Sequence, residues 1–525
     1  MCDSHGDIRL SDHETTRSPH LIQKPAESRR FGSDPNEVVI LKSVNVIDGT
    51  GAPLYGPADI LIKDGRIERI INKGDALVGL MFPERDLLED YPTARVMDLE
   101  GHYVLPGFVD SHGHIGSAVQ APSADYVYKL WLAHGVTTVR DVACAWNGMD
   151  FTISEAQRSE ANEICAPRIL ANPYFGQGME VPITTARDAA AWVNAIAERG
   201  AKGVKFFSAK PEAFQAALAE LNKLGMDSAC HHEPRNVSRI NAMTSARWGL
   251  RSIEHWYGLP EAMFDGKRTQ NFDAGYNYGN EPSRYAAGGP LWLESAEPGS
   301  KKWVETLEEW LALGTTMSPT FNIYIGHRDA ARVRNSEWHD EFTAPTLWKF
   351  FQPNPENHGS VYGDWGTEQE VPWRQAYQRW MALVNDYKNM GGRVTVGSDS
   401  GFIYKTYGFG QVEELELMRE AGFHPLEVIR AATLSTAELV GLDDEIGSIE
   451  MGKRADLFIT KENPLTNFKL LYGHGVFRPN STERAGGVKY TVRNGIIYDA
   501  EELRDEVRAI VAEDRERQQQ KATQK

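Results

Sequence analysis

The residues best suited to chemistry begin with His112 and His114, in the stretch Leu105-Pro-Gly-Phe-Val-Asp-Ser-His-Gly-His-Ile115. Side chains two apart on a strand point to the same side. Two imidazoles at that spacing can grip one metal ion from one strand end. The intervening Gly113 lets the backbone run close to the ion. Further candidates follow in chain order, each at the end of an apolar run. Lys205 sits among Val204, Phe206 and Phe207. If it points inward, its ammonium is costly to bury and loses its proton readily. His231 and His232 end Ser-Ala-Cys-His-His-Glu. Neighbours on a strand face opposite ways, so one of the pair points at the metal. His231 is favoured, in register with an inward Ala229, and His232 is the alternative. His255 ends Ser-Ile-Glu-His, and Asp399 ends Val-Gly-Ser-Asp. An aspartate there can ligate a metal and hold a proton taken from water. Imidazole with carboxylate suits zinc by default, with manganese, cobalt or iron as substitutes.

Elements must bring these groups together. The short apolar runs are 104–110, 136–141, 168–171, 203–207, 227–231, 252–255, 315–320 and 393–398. Amphipathic stretches such as 185–199, 212–224 and 237–248 alternate with them. Strand–helix alternation predicts a parallel sheet, and eight such strands predict an α/β fold, a (β/α)8 TIM-type barrel over residues 105–446. In such a barrel the chemistry lies at the carboxyl ends of the strands. Residues 38–104 and 447–499 are β-rich and carry the turn signals Lys-Asp-Gly-Arg and Arg-Asn-Gly. They predict a small β-sandwich domain built from both ends of the chain. Two long connections, 257–314 and 326–392, are rich in aromatic residues. They are expected to be either substrate walls or helices padding the outside. Residues 1–37 read as a flexible tail, and 500–525 as a charged helix fading into a solvated tail.

The 525 residues are too many for most single cores. Hydrophobic content of 41% and charged content of 25% are ordinary for a globular chain. A net charge of −17 argues against nucleic acid or an anionic membrane as the main partner. No apolar run reaches bilayer length, and the N-terminus has no signal core. Cys2, Cys144, Cys165 and Cys230 show no pairing rhythm. That predicts a reducing, cytoplasmic setting, with Cys230 a buried free thiol.

The stretch around His112 and His114, Gly-Val-Thr-Thr-Val-Arg-Asp at 135–141, Ile-Glu-His at 253–255, Gly-Ser-Asp at 397–399 and Gly-Ser-Ile-Glu-Met-Gly-Lys-Arg-Ala-Asp-Leu at 447–457 carry a resemblance. The chain resembles the amidohydrolase superfamily, in its imidazolonepropionase-like and metal-dependent prolidase-like branches, from about residue 38 to 499. The resemblance implies two divalent ions. His112, His114 and Asp399 would hold the more buried one, and His231 and His255 the other. Lys205, as a carbamate formed with carbon dioxide, would bridge them. The His-His-Glu cluster and the two long connections depart from the family pattern.

The expected reaction is hydrolysis of a carboxamide C–N bond by a metal-bound hydroxide, on an N-acyl amino acid, a dipeptide-like amide or a xenobiotic amide. Asp399 would pass the water's proton to the leaving nitrogen. Tyr324 is a candidate donor to the carbonyl, and Arg140 a candidate partner for a substrate carboxylate. His232 and Tyr257 are candidate substrate contacts. Alternatives are a mononuclear deaminase or cyclic amidase, a metal-dependent decarboxylase, and a non-catalytic scaffold. The expected partners are a small-molecule amide and further copies of the chain in a homo-oligomer.

Overall fold

Two kinds of strand organise the computed structural model, which describes residues 21–28, 32–74, 87–272, 274–277, 279–354 and 365–523. The chain enters through β1 (Val39–Val46), β2 (Tyr55–Lys63), β3 (Arg66–Asn72), β4 (Arg95–Asp98) and β5 (Tyr103–Pro106). It continues through the parallel strands β6 (Phe108–Gly113), β7 (Val136–Ala143), β8 (Arg168–Pro173), β9 (Gly203–Phe206), β10 (Asp227–Cys230), β11 (Ser252–Glu254) and β12 (Thr316–Ser318). It returns through β13 (Leu457–Thr460), β14 (Val476–Phe477), β15 (Arg484–Ala485), β16 (Val488–Arg493) and β17 (Ile496–Asp499).

The two ends of the chain meet where β13 pairs antiparallel with β5. The result is one eight-stranded sheet in the order β17-β16-β13-β5-β1-β2-β3, with β4 on β1. The expected sandwich of two facing sheets is therefore corrected to a single sheet. It curls: Ile67 N–H on edge strand β3 donates to Lys453 O at 2.9 Å, just before β13. Curling lets Val39, Ile60, Val104, Leu457 and Val492 share one core. Both sequence-marked turns are tight hairpins with two left-handed residues, Asp64 and Gly65 (φ 50° and 72°) and Asn494 and Gly495 (φ 54° and 80°), as type I′ turns require.

The parallel strands form two sheets, β6-β7-β8 and β12-β11-β10-β9. Backbone bonds link them: Lys202 N–H to Ala171 O at 2.8 Å, and Phe175 N–H to Lys205 O at 2.8 Å. The eighth expected strand, 393–398, is extended chain rather than a strand. It still bonds on both sides, through Thr395 N–H to Met317 O at 3.0 Å and Ser111 N–H to Val396 O at 2.9 Å. The bonding runs on to Asp399, whose N–H donates to His112 O at 2.7 Å and whose φ is 43°.

Helices Leu259–Ala262, Glu281–Leu293 and Lys301–Ala312 occupy the first long connection. The second carries helices between Ala330 and Phe351 and the long helix Thr367–Asn389. Helix Ala500–Thr523 is less solvated than its composition suggests. Leu503, Val507 and Val511 are buried, and Asp514 accepts from the Thr346 amide at 2.7 Å. Residues 21–28, expected as part of a flexible tail, are docked. The Gln23, Ala26 and Glu27 amides donate to Asn147, Glu155 and Asp125 at 2.6, 3.1 and 2.8 Å. Residues 32–37 of that expected tail are described as well, with Ser33 N–H bonded to Ile497 O at 3.1 Å, and 1–20 and 29–31 lie outside the described residues. No described helix is long and apolar enough to cross a membrane.

Candidate metal centre

β6 turns His112 and His114 toward one point because their side chains share a parity. Their rings lie 5.3 Å apart. The chain beyond 393–398 bends at Asp399 and brings its carboxylate to them: Oδ1 is 3.0 Å from His114 Nε2 and 3.8 Å from His112 Nε2. Donor atoms of these three side chains all fall within 4.8 Å of one another. From the end of β9, Lys205 Nζ reaches within 3.4 Å of His112 Nε2. His255, past the end of β11, sets its ring 4.6 Å from that of His112 at a tilt of 52°, with Nδ1 3.7 Å from Asp399 Oδ2. His231 follows β10, its ring 4.8 Å from His255. The six groups expected to meet thus line one cavity of about 330 Å³, within the range of small-molecule sites.

Two of these residues sit on unusual backbone. His255 and Asp399 have φ values of 64° and 43°, and Thr320, which bonds His255 Nδ1 at 2.6 Å, has 51°. Left-handed non-glycine residues are uncommon, and such outliers cluster at functional sites. Here the turn swings each side chain off its strand and into the cavity.

The donor set fits divalent cations. Burial, reinforced by neighbouring cations, pushes the His112 imidazole well below its ordinary range, and burial does the same for His255. Neutral imidazoles offer lone pairs. His114 Nε2 faces Asp399 Oδ1 at 3.0 Å, so an imidazole nitrogen and a carboxylate oxygen are aimed at one place. Burial lowers the Lys205 ammonium to about 8, so the amine is accessible near neutrality.

A polar layer beneath the cavity was missed in the sequence. Glu254 Oε2 meets His112 Nδ1 at 2.5 Å, which leaves His112 Nε2 facing the cavity. Burial alone would raise the Glu254 carboxyl, but Arg140 and Lys205 hold it below its usual value. Arg140 is where the structure corrects expectation. Its guanidinium is fully buried and donates to Glu254 at 2.5 Å, Asp227 at 3.0 Å and Ser111 O at 2.6 Å. It does not line the cavity and cannot meet a substrate carboxylate there. The signal was present: Ser252 and Glu254 share one parity on β11, so an acid faced the interior and needed a cation.

His232 is the second correction. Its Nε2 pairs with Ser245 at 2.7 Å on helix Ala242–Arg247, away from the cavity. His231 is the member of the pair that lines the cavity. Tyr257 stacks on His231 at 4.2 Å, and its hydroxyl bonds those of Tyr324 and Tyr285. Tyr324 also lines the cavity, with its ring 5.5 Å from His255. Glu281, Arg284 and Tyr285, on helix Glu281–Leu293, complete one wall. No motif marked them. Cys230 is a buried free thiol, and burial raises its pKa.

The Amidohydrolase family model matches residues 103–497. Over 150 residues the chain is 31% identical to adenine deaminase 2 of Desulfotalea psychrophila, covering 24% of each protein. The matching segment thus spans about a quarter of that relative. The fold is similar to that of a bottromycin amidohydrolase, with a TM-score of 0.61, 19% identity, and 91% of this chain and 90% of that one covered. It is also similar to a Xaa-Pro dipeptidase, with a TM-score of 0.57, 19% identity, and 88% and 100% covered.

Proposed function

Because the chain belongs to the amidohydrolase family, we propose that it is a metal-dependent hydrolase that cleaves the C–N bond of a small carboxamide. The parallel strands would act as one (β/α)8 barrel whose carboxyl ends form the floor of the site. The observation that carries the proposal is the meeting of His112, His114 and Asp399 donor atoms within 4.8 Å, with Lys205, His231 and His255 on the same cavity.

His112, His114 and Asp399 would hold one divalent ion, zinc by default, and His231 and His255 a second. Lys205, with its lowered pKa, would take up carbon dioxide and bridge the two as a carbamate. Bound ions would polarise the amide carbonyl and acidify a water molecule. The chain's own groups do the rest. Glu254 fixes His112 with Nε2 forward. Asp399 accepts the water's proton and returns it to the leaving nitrogen. The tyrosine set Tyr257, Tyr324 and Tyr285 offers a hydroxyl to the carbonyl oxygen. The apolar wall of Ile323 and Phe402, both buried, excludes water.

The test is acetate release from a panel of N-acetyl amino acids and their carboxamides, before and after chelation. Turnover lost on chelation and restored by zinc or manganese is expected. Turnover that survives complete metal removal contradicts the proposal. The deaminase similarity supports a second reading, a mononuclear deaminase on the same floor. Ammonia released from a purine, with one ion per chain, would select it.

A further inference from the structure

A short segment, 320–324, contributes no metal ligand yet sets side chains on both sides of the cavity. Thr320 is left-handed, with φ 51°, an uncommon conformation for a β-branched residue. Its Oγ1 donates to Pro319 O at 2.7 Å and meets His255 Nδ1 at 2.6 Å. With the hydroxyl proton committed to that carbonyl, Nδ1 carries the imidazole proton and Nε2 keeps its lone pair. Thr320 also begins helix Phe321–Arg328. Two residues on, Asn322 Nδ2 donates at 2.6 Å to the carbonyl of Ser398, the residue before Asp399. Two further on, Tyr324 lines the cavity.

A carboxylate from a distant part of the chain holds this segment. The Thr320 side chain does not cap helix Phe321–Arg328, so the first amides of the helix need an acceptor from elsewhere. Glu414, fully buried on helix Phe409–Glu420, supplies both of its oxygens. Oε1 accepts from the Phe321 amide at 2.8 Å and Oε2 from the Asn322 amide at 2.6 Å. The helix dipole also favours a negative charge at that end. The adjacent acid is occupied otherwise, since Glu413 pairs with Lys405 at 2.5 Å. Burial raises the Glu414 pKa to about 8, and the two amide bonds pull against that rise. The supporting helix packs directly on the segment: a Cβ on Gly410 would come within 2.4 Å of Ser400 Oγ and 2.9 Å of Asn322 Nδ2. Glu414 thus acts from a rigid element, as a group that fixes others must.

We infer that Glu414 is a positioning residue of this site: by clamping the Phe321 and Asn322 amides it holds Thr320 against His255 and Tyr324 at the cavity. Its effect on turnover rests on the amide-hydrolase reading above, whereas its effect on geometry does not. Glutamine has the same shape but a single acceptor oxygen. Glu414→Gln therefore satisfies one amide and turns an N–H toward the other.

The experiment compares wild type and Glu414→Gln in two ways, both above the Glu414 pKa of about 8. Crystal structures without added metal show where segment 320–324 lies. Acetate release by the zinc-loaded proteins, on N-acetyl amino acids and the matching carboxamides, gives kcat and KM. In Glu414→Gln, Thr320 is expected to leave the left-handed region or its Oγ1 to part from His255 Nδ1 beyond hydrogen-bonding distance. kcat should fall roughly 10- to 100-fold, the scale of a misplaced reacting group, with KM within about threefold. A carboxylate that only stabilised the fold would lower the unfolding midpoint and leave both readouts unchanged. If wild type hydrolyses none of the substrates, the hydrolase reading fails for them, and the crystal structures alone decide the role of Glu414. If Glu414→Gln does not fold, Glu414→Asp, with its charge on a shorter arm, is judged by the same readouts. A displaced segment, with a fall in kcat wherever wild type turns over, supports the inference. A segment that stays in place, or a kcat unchanged from an active wild type, overturns it.

Discussion

The floor and the wall of the cavity are built by different means. The floor hangs from strand ends: His112, His114, Lys205, His231, His255 and Asp399 come from separate stretches of the chain, and backbone hydrogen bonds fix their spacing. Beneath it, Arg140, Glu254 and Asp227 form a saturated buried network. The wall comes from helices in the long connections and is held by indole and tyrosine packing. Strand ends suit chemistry, where donor positions must be exact to fractions of an ångström. Inserted helices suit selection, because they can change without disturbing the strands.

Substitutions separate the two regions. The largest effect is expected at the floor, where Asp399→Asn should lower turnover about 10³-fold while circular dichroism stays native. Near-normal rates would remove Asp399 from proton transfer. One layer down, Glu254→Gln should weaken metal affinity about 10- to 100-fold, read by competition with a chelator, because a single amide oxygen cannot accept from both His112 and Arg140. Unchanged affinity would make Glu254 a purely structural partner of Arg140. At the wall, Gly288→Ala, whose Cβ would come within 2.6 Å of the Trp373 ring, should cost about 1–3 kcal/mol of overpacking and raise KM with metal content unchanged. A loss of metal instead would mean that the two regions are not separable. Smallest of all, His232→Gln should cost about 1 kcal/mol or less in denaturant unfolding and leave metal content intact, whereas His231→Gln should reduce it. Equal losses from both would erase the distinction drawn between the adjacent histidines.

The same contrast explains what could be read from the residues alone. Strand parity is a local rule, so His112 and His114 announce a shared face, and apolar runs announce the parallel strands. The hairpins at Asp64-Gly65 and Asn494-Gly495 are equally local, since their turn chemistry admits few residues. Arg140 was misplaced because a strand end shows which face a residue takes but not which partner lies across the interior. Glu254 supplied that partner from more than a hundred residues away. The curled single sheet was not legible either. It depends on β3 bonding the segment before β13, a pairing that no local pattern encodes. Arg284 was invisible for a related reason: on an amphipathic helix it reads as one more solvated charge until Gly288 and Trp373 fix which side faces the cavity.

The central claim is that the floor residues are metal ligands. Anomalous diffraction from crystals of the zinc-loaded protein tests it most directly. The account predicts strong peaks at the floor, one bounded by His112, His114 and Asp399 and one by His231 and His255. Zinc-loaded crystals with no peak touching any of these side chains would contradict it.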